Sequence, residues 1–363
     1  MIEVQGKYGI ATIYTDQYDE KAYGQILELM NQSFVKDCSI KIMPDYHYGA
    51  GCVIGFTGNL SGKVIPNIVG VDLGCGMLVT ELGEMDFDLD GMDERIHARV
   101  PAGFNSHQNK EFAFHKIKQM VCYNELYKPE HFENQLGTLG GGNHFIEINK
   151  DDEGCAYLVI HSGSRNMGKQ VADFYQKIAI EKCDGKGIPK DLCYLEGEDR
   201  DNYLHDMKIC QEYASENRTG IYQRIMSGIV GDCEFETVHN YVSDDGLIRK
   251  GAVSAKEGEK FIVPINMRDG SLICIGKGNK DWNESAPHGA GRLMGRNEAK
   301  RTLSLEEFQE TMRGAGVYST TIGISTLDEA PDAYKGMDDI MNNITETATV
   351  IKIIRPIYNF KSA

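Results

Sequence analysis

Several short segments place histidine, cysteine or aspartate beside glycine, at points where a strand-like run ends. Asp72 and Cys75 lie in Gly70-Val-Asp-Leu-Gly-Cys-Gly76, on one glycine-rich turn. Such a turn allows a carboxylate and a thiolate to converge on one cation, and a thiolate can also bridge two metal ions. Imidazoles from elsewhere in the chain would complete the metal shell, and the candidates are His144, His161 and His239.

A mixed set of aspartate, cysteine and histidine donors favours a borderline divalent ion. Mn²⁺, Zn²⁺, Fe²⁺ and Co²⁺ accept such donors, whereas Mg²⁺ and Ca²⁺ prefer shells made only of oxygen. Taken singly, each histidine is more simply a hydrogen-bonded core residue, and Cys75 a small buried one. That explanation suits the whole set less well, because these residues lie in turns flanked by glycine or asparagine.

A different histidine lies in Ser285-Ala-Pro-His-Gly-Ala-Gly-Arg292, where small residues leave space around His288. A neutral imidazole nitrogen is a competent nucleophile toward phosphorus, and an arginine fork matches phosphate oxygens. The segment therefore predicts a histidine that accepts a phosphoryl or nucleotidyl group, with metal ions neutralising a triphosphate. The alternative is a glycine-rich turn that merely contains a histidine.

Three further segments are candidates for binding phosphate or for orienting groups in the site. Gly140-Gly-Gly-Asn143 can form a nest of backbone N–H groups, although no Gly-Lys-Ser/Thr follows it, as a Walker A loop would require. Arg165 opens a helix-like stretch and can hold a phosphate at the helix N-terminus. His47, which follows Asp45 closely, is expected to orient a ligand or substrate from behind.

The elements that must position these residues follow one another in irregular order, which predicts a mixed α+β fold and not a doubly wound sheet. We find no linker or internal repeat and expect one domain over residues 1–363. The acidic stretch Asp184–Asp201 is interpreted as a surface loop. Helical periodicity covers Asp19–Val35, Glu111–Tyr127, Lys169–Lys182, Asp201–Ile229, Leu305–Arg313 and Asp338–Thr347. Strand-like runs cover Ser39–Met43, Met77–Glu81, Phe145–Ile148, Ala156–Ile160, Lys260–Ile265, Ser271–Ile275 and Val350–Ile354.

Composition narrows the class of protein. The chain has 363 residues, 41% hydrophobic and 25% charged, which excludes collagen, low-complexity disorder and a disulfide miniprotein. No apolar run approaches the roughly 20 residues that span a bilayer, and no signal peptide is recognisable. The 10 cysteines form no CxxC pair and indicate reduced thiols. We therefore expect a cytoplasmic protein without a membrane segment.

The net charge of -16, from 38 basic and 54 acidic residues, argues against a protein that coats nucleic acid through a broad basic surface. It allows a local basic cleft, or a cleft in which metal ions supply the positive charge.

Read together and in order, these segments resemble the RtcB family of RNA ligases, from about Met43 to the C-terminus. The matching motifs are Met-Pro-Asp-x-His, Asp-x-x-Cys-Gly, Gly-Gly-Gly-Asn-His-x-x-Glu, His-Ser-Gly-Ser-Arg, His-Asn and His-Gly-Ala-Gly-Arg. The resemblance implies an RtcB-like fold with mixed sheets and flanking helices around a dimetal cleft. It implies two Mn²⁺ ions, for which Zn²⁺ or Co²⁺ are possible substitutes, held by Asp72, Cys75, His144, His161 and His239.

The resemblance also implies roles around GTP. His288 would attack the α-phosphate and carry GMP, while Glu147 and Lys361 would contact guanine. Asn143, Arg165 and Arg292 would contact phosphates. The implied nucleotide site also includes Asn240, Ser271, Gly289, Ala290 and Gly291. RNA phosphates would meet Arg165, Arg249 and Lys250, with Asp45 and His47 behind the site.

Family enzymes join RNA that ends in a 2′,3′-cyclic phosphate or 3′-phosphate to RNA with a 5′-hydroxyl, in some cases with an archease-like activator. An RNA-repair role is our interpretation of this compact chain. Two alternatives stay open on sequence: a dimetal phosphoesterase that acts on cyclic phosphate ends without ligation, and a nucleotide- or RNA-binding module without turnover. The phosphoesterase needs the metal ligands but not His288, Glu147 or Lys361.

The chain departs from the family pattern in places. The usual Pro-Gly-Ser-Met-Gly loop is replaced by Pro264-Ile-Asn-Met-Arg-Asp-Gly270, which lacks the small pair that lets the backbone approach a nucleotide. The usual His-Arg-Lys-Gly-Ala is replaced by Ile248-Arg-Lys-Gly-Ala252. The chain is also shorter than the longer family members. These changes concern nucleotide affinity and RNA range more than the metal ligands, all of which are kept.

Overall fold

The computed structural model describes residues 1–110, 112–226, 231 and 233–362. Its strands are β1 (Ile2–Gln5), β2 (Ile10–Ile13), β3 (Ile40–His47), β4 (Ile54–Gly58), β5 (Gly76–Glu84), β6 (Phe145–Lys150), β7 (Cys155–Ser162), β8 (Cys233–Val238), β9 (Asn240–Val242), β10 (Ile248–Lys250), β11 (Ala252–Ser254), β12 (Lys260–Asn266), β13 (Gly270–Gly276), β14 (Ser285–Pro287) and β15 (Ala348–Lys361). Its α-helices are α1 (Glu20–Met30), α2 (Pro66–Val69), α3 (Leu89–Arg99), α4 (Arg165–Lys182), α5 (Gly197–Met226), α6 (Arg296–Thr302), α7 (Leu305–Gly314) and α8 (Met337–Asn343).

The strands of this part of the chain form three sheets. The first has the order β1-β2-β3-β4-β10-β9, the second pairs β11 with β14, and the third has the order β12-β13-β15-β6-β7-β5-β8. All pairs are antiparallel except β2 with β3. The prediction of a mixed α+β fold is confirmed.

The long helix α5 joins two hydrophobic cores. Its first half, with Met207 and Tyr213, packs into the core beneath the six-stranded sheet, α1, α2 and α4. Its second half, with Ile221 and Ile225, packs into the core formed by α3, β5, β6, β7 and β15. Because the helix is buried on more than one side, it can carry polar groups inward at the point where the cores meet. Within the described ranges, no helix is both long and apolar enough to cross a bilayer.

The register of the seven-stranded sheet brings together the ends of strands that are distant in sequence. Phe145, at the start of β6, pairs with His161 near the end of β7. Gly76, at the start of β5, pairs with Ser162 on one side and with Val238, the end of β8, on the other. The turns before β5, before β6 and after β8 therefore meet the end of β7 at a single edge of the sheet.

All seven predicted strands are confirmed, and β3 and β15 extend well beyond their predicted ends. Among the helices, Lys169–Lys182 and Leu305–Arg313 are confirmed within α4 and α7. The helix predicted over Asp201–Ile229 corresponds to α5, which begins at Gly197 and so shortens the predicted loop Asp184–Asp201; positions 227–229 lie outside the described residues. The single-domain boundary stays a prediction.

The helix predicted over Glu111–Tyr127 is wrong. The segment, whose first residue lies outside the described part, contains two short 3₁₀ turns, His115–Gln119 and Tyr123–Glu125. Between them the backbone N–H groups of Val121 and Cys122 donate to the buried carboxylate of Asp206 at 2.8 and 3.0 Å. These donors are thereby withdrawn from a helical ladder, so a tertiary contact overrides the local periodicity.

The two remaining predicted helices are too long. α1 ends at Met30 and is followed by a 3₁₀ turn at Ser33–Val35. α8 ends at Asn343, four residues before the predicted end at Thr347. Thr347 is held instead by a hydrogen bond from its hydroxyl to the Ser285 carbonyl at 2.7 Å.

Candidate metal centre and nucleotide pocket

Cys75, His144 and His161 meet at the sheet edge formed by β5, β6 and β7. The Cys75 Sγ lies 3.4 Å from His144 Nε2 and 3.3 Å from His161 Nε2, and all three residues are buried. Their donor atoms lie within 4.8 Å of one another, a spacing that suits ligands of one cation. The turn and strand ends that the sequence singled out are thus brought together.

Asp72 joins this cluster from the same turn as Cys75. Its Oδ2 lies 2.9 Å from His144 Nε2, and its Oδ1 accepts the Ser164 N–H at 3.1 Å. Burial raises the pKa of the Asp72 carboxyl, but the contact with His144 and the charge of Arg165 outweigh burial and hold the pKa below its usual value. The carboxylate form is therefore present to balance a cation.

His239 follows β8 and lies beside His161, outside the group of Cys75, His144 and His161 whose donor atoms lie within 4.8 Å of one another. Its ring centroid lies 5.2 Å from that of His161 and 4.9 Å from that of His288. Burial holds the pKa of His161 and of His239 well below the usual value, so both rings are neutral and keep a lone pair. Within the described chain, Nδ1 of each of these two rings is buried without a hydrogen-bond partner. Unpaired nitrogens in buried, neutral imidazoles, one of which contacts the Cys75 thiol through Nε2, are compatible with a metal site.

His144 is oriented by the backbone. Its Nδ1 lies 2.9 Å from the Leu139 carbonyl, which places the proton on Nδ1 and directs Nε2 toward Cys75. Such a second hydrogen bond is the usual way in which proteins fix a ligating imidazole.

Two residues of α5 that the sequence analysis did not single out tie the metal-centre turns together. Arg218, fully buried, donates from Nη1 to the carbonyls of Gly74 at 3.0 Å and Ser162 at 2.8 Å, and from Nε to Glu236 at 2.9 Å. Asn217 donates to Thr138 O and Ser162 Oγ and accepts from two backbone N–H groups of the same loop. The sequence could have indicated them, because both positions fall on the apolar face of the predicted helix, between Ala214 and Ile221, where polar residues are unusual.

His288 is held by a buried aspartate from the six-stranded sheet. Its Nδ1 lies 2.6 Å from Asp45 Oδ2, and its backbone N–H donates to the same oxygen at 3.2 Å. Gly291, at φ 77°, lies directly against the Asp45 carbonyl, where a Cβ would not fit. Glycine at this position therefore lets the two segments meet. His47 Nδ1 lies 3.0 Å from Asp45 O, and burial lowers the pKa of His47 to about 4.

A cavity of about 1140 Å³ opens beside these residues. Of the predicted site residues, it is lined by Asp72, Cys75, Asn143, Glu147, His161, His239, Asn240, His288, Gly289, Ala290, Gly291, Arg292 and Lys361, with His47 at one side. Asn240 also holds the turn of Asp72, because its Nδ2 donates to the Asp72 carbonyl at 3.2 Å and its Oδ1 accepts the Gly251 N–H at 3.0 Å.

Glu147 is a buried carboxyl in the wall of the cavity. Burial raises the pKa of Glu147 to about 7, although Asn359 donates to its Oε1 at 2.6 Å. Lys361 Nζ lies over the ring of Phe145, 5.3 Å from the ring centroid. A carboxyl of this kind, beside a cation and an aromatic ring, can pair with the polar edge of a bound planar group.

One corner of the cavity is organised by Glu329, which the sequence analysis did not single out. The carboxylate accepts from Arg292 Nη2 at 2.5 Å, Arg296 Nη1 at 2.8 Å and Lys361 Nζ at 2.7 Å. Tyr334 adds a fourth donor at 2.7 Å. Burial raises the pKa of Glu329, but the three cations outweigh it and lower that pKa to about 2. No local sequence pattern marks this residue.

Arg165 and Arg292 were both predicted to bind phosphate, and in the structure both guanidinium groups already donate hydrogen bonds within the protein. Arg165 donates from Nε to Thr138 Oγ1 at 3.2 Å and from Nη2 to Gly103 O at 3.1 Å, and its φ of 58° is left-handed. Such a conformation in a non-glycine residue is costly and is often kept at functional sites. Arg292 also donates to Asp328 O at 2.8 Å.

Three predicted contacts do not fit the geometry. Arg249 is 1% exposed and donates to Ser285 Oγ and to the carbonyls of Asn283 and Glu284. Lys250 is buried and donates to Asn67 O at 2.9 Å and to Ala50 O. Ser271 is fully buried in β13 and does not line the cavity. None of the three residues lines the cavity, so the geometry gives no support to their RNA and nucleotide contacts, which stay predictions.

The altered loop at residues 264–270 lies at the cavity, which Pro264, Asn266 and Met267 line. Asn266 Oδ1 accepts the N–H groups of Arg268 at 3.0 Å and Asp269 at 2.9 Å. The asparagine thus builds a tight turn between β12 and β13, in place of the small pair of the family pattern.

A mixed α+β fold with a buried thiol, carboxylate and imidazole cluster beside a large polar cavity defines a class of protein equipped to bind a metal ion next to a substrate. A model of the family described as "tRNA-splicing ligase RtcB" matches residues 25–128 and 123–362. The chain belongs to this family and is an RNA ligase.

Individual relatives agree with this assignment. The RNA-splicing ligase RtcB of Escherichia coli (strain K12) is 30% identical over an alignment that covers 88% of each chain. RNA-splicing ligase RtcB2 of Escherichia coli (strain ATCC 25922) is 27% identical over 88% of this chain and 87% of its own. The tRNA-splicing ligase RtcB of Nanoarchaeum equitans is 26% identical over 86% of this chain and 85% of its own.

Proposed function

We propose that the protein joins RNA ends bearing a 2′,3′-cyclic phosphate or 3′-phosphate to RNA with a 5′-hydroxyl, with GTP as co-substrate. The observation that carries this proposal is the pair of His288 and Asp45, 2.6 Å apart, beside the cluster of Cys75 and the histidines. Because Asp45 accepts the proton of Nδ1, the lone pair of His288 is on Nε2, which is then the nucleophile.

The group of Cys75, His144 and His161 suits a metal ion, and we propose two divalent ions here, Mn²⁺ with Zn²⁺ or Co²⁺ as substitutes. The ligands would be Asp72, Cys75, His144, His161 and His239. When bound, the ions supply positive charge that neutralises phosphate oxygens beside His288. The unpaired Nδ1 atoms of His161 and His239 and the short contacts of Cys75 support this assignment.

His288 carries the nucleotide in the proposed sequence. Its Nε2 attacks the α-phosphorus of GTP, so that an N–P bond forms, the bond to the β-phosphate oxygen breaks and pyrophosphate leaves. Asp45 stabilises the imidazolium that results. An oxygen of the RNA 3′-phosphate then attacks the same phosphorus and breaks the N–P bond. The 5′-hydroxyl oxygen finally attacks the 3′-phosphate, and GMP leaves. A cyclic phosphate end is first opened by water.

The cavity wall suits guanine and a triphosphate. Glu147 and Lys361 are proposed to contact the guanine edge, with Asn240 and Gly289–Gly291 completing the nucleotide site. Asn143 and Arg292, which line the cavity, are proposed to contact phosphates, and Arg165, which does not line it, is proposed to contact the RNA phosphate. In this assignment Glu329 holds Arg292 and Lys361 in place before the nucleotide arrives.

Intact mass after incubation with GTP and Mn²⁺, without RNA, tests the proposal. We expect one added GMP on the wild-type protein and on His131→Ala, a variant of a side chain about 60% exposed on the surface. The adduct is absent from His288→Ala. GMP on His288→Ala would show that the proposed nucleophile is wrong. Hydrolysis of cyclic phosphate ends by His288→Ala, together with a wild type that neither carries GMP nor ligates, would favour the phosphoesterase instead.

We propose a reducing, cytoplasmic setting, and a role in RNA repair for which an archease-like protein is a possible activator. The cysteines whose side chains the structure describes are all free thiols, which is typical of such a compartment. Ligation rates measured with and without an archease-like protein test the activator.

A further inference from the structure

Phe104 is the most exposed large apolar side chain in the described part of the chain. Its relative exposure is 109%, so the ring projects fully into solvent from the loop that follows α3. An aromatic side chain gains by burial, so a fully exposed ring on a fixed turn can stabilise the binding of a partner that covers it.

The turn that carries Phe104 is fixed to the protein. The Asn105 N–H donates to the Ala102 carbonyl at 3.2 Å, and Gly103 between them has φ 65°. The Gly103 N–H donates to Gly140 O at 2.8 Å, and the Leu139 N–H donates to Pro101 O at 2.9 Å. The exposed ring is therefore presented by a hydrogen-bonded turn and not by a loose chain.

The same hydrogen bonds connect this turn to the metal centre. Leu139, which pairs with the start of the turn, accepts from His144 Nδ1 at 2.9 Å. The Gly103 carbonyl accepts from Arg165 Nη2 at 3.1 Å. Phe104 thus follows Gly103, which contacts Arg165. Its turn is hydrogen-bonded to Leu139, and Leu139 in turn is hydrogen-bonded to the candidate metal ligand His144.

Glycines connect the turn of Phe104 to the cavity wall. A Cβ built on Gly141 would lie 3.9 Å from Gly103 Cα and 3.8 Å from Ser362 Oγ, and one built on Gly142 would lie 3.7 Å from Arg296 Nη2. Asn143, two residues after Gly141, lines the cavity. The turn that carries Phe104 therefore packs beside a segment of the cavity wall.

We propose that Phe104 is a stacking platform for a base of the RNA strand whose end enters the cavity. The inference rests on the proposed function and adds a binding site for the RNA body. A ring in this position suits RNA because bases stack on aromatic faces whatever their sequence. Stacking also provides affinity that a chain of net charge -16 cannot draw from a broad basic surface. One stacked base corresponds to about 5- to 150-fold in affinity.

Affinity for a 3′-phosphorylated oligonucleotide, measured with the metal-loaded protein, tests the platform. Phe104→Ala is expected to weaken binding at least about 5-fold, while Phe104→Trp retains it. The matched control is Ile351→Ala, another exposed apolar residue, near the Ala348 end of β15 and far along the strand from Lys361. Equal affinity of Phe104→Ala and the wild type would overturn the proposal.

Fluorescence of the Phe104→Trp variant gives a second readout. The only native tryptophan, Trp282, is 2% exposed and stacks on Tyr14, so RNA-dependent quenching reports on position 104. We expect quenching that saturates with RNA. RNA that binds without quenching position 104 would refute the stacked geometry.

The formation of the GMP adduct without RNA separates this inference from the proposed function. Phe104→Ala should form the adduct as the wild type does, because the ring does not line the cavity. A wild type that forms no adduct contradicts the proposed reaction and leaves the binding result readable by itself.

Discussion

The metal centre and the Glu329 corner line one cavity and are built in different ways. The metal centre is set by backbone: strand register brings the turns together, and Arg218 and Asn217 fasten their carbonyls from α5. The Glu329 corner is set by side chains, since one carboxylate receives Arg292, Arg296 and Lys361.

The difference shows what each region resists. Strand register depends on many hydrogen bonds, so we expect no single substitution on the strands to move all the metal-centre turns. The more sensitive part is the pair of α5 side chains, Arg218 and Asn217, that bind these turns. The Glu329 corner depends on one ionised group, so it is sensitive to a single substitution and to pH. His288 lines the same cavity, and Asp45 accepts from its Nδ1 and from its backbone N–H.

The largest expected effect comes from Asp45→Asn. An amide nitrogen at the position of Oδ2 would donate to His288 Nδ1, move the ring proton to Nε2 and remove the nucleophilic lone pair. We expect the rate of GMP transfer to His288 to fall on the order of 10³- to 10⁴-fold. Rapid-quench measurement of the adduct checks this, and Co²⁺ affinity should be unchanged. A rate within tenfold of the wild type would show that Asp45 does not set the tautomer.

The next effect tests the clamp of the metal centre. Arg218→Met leaves the carbonyls of Gly74 and Ser162 without their donor and frees the turns of Cys75 and His161. We expect Co²⁺ affinity, followed by its absorption bands, to fall about 10- to 100-fold. The control on the same helix is Lys208→Met, whose side chain is 58% exposed. Co²⁺ affinity that falls equally in both variants would argue against a specific clamp.

The sequence was informative where a reactive residue adjoins a strand end, and much less so elsewhere. Cys75, His144 and His161 were found because glycines and strand-like runs mark their turns, and the structure brings them within hydrogen-bonding distance. Arg249 and Lys250 were read as free cations because charge says nothing of burial in a short strand. Glu329 was missed because its importance comes from three cations that reach it from other segments.

The Glu329 corner should be sensitive to acid. The pKa of Glu329 is lowered from 4.5 to about 2, so its stabilisation is fully present above about pH 4.5 and is lost as pH falls toward 2. We expect Glu329→Gln to be less stable than the wild type at pH 7 by roughly 3 kcal/mol. Denaturant unfolding across this range checks the sign. The free energies of unfolding of the two proteins should converge near pH 2. A difference that grows in acid would contradict the assignment of Glu329 as an ionised carboxylate.

The smallest effect is the dependence of RNA affinity on salt, which compares the two regions as sources of charge. Arg249 and Lys250 are buried, and the cations that line the cavity are Lys21, Arg292, Arg296 and Lys361, of which the last three are shared with Glu329. For single strands the logarithmic slope is about −0.7 per neutralised phosphate, so four contacts give a slope of about −3. Titrations at fixed Mn²⁺ between low and moderate NaCl measure it. A slope steeper than about −4, as for six phosphates, would mean that a basic surface outside this cavity holds the RNA. A shallow slope, together with RNA-dependent quenching of tryptophan fluorescence in Phe104→Trp, would instead assign the affinity to stacking and to the metal centre.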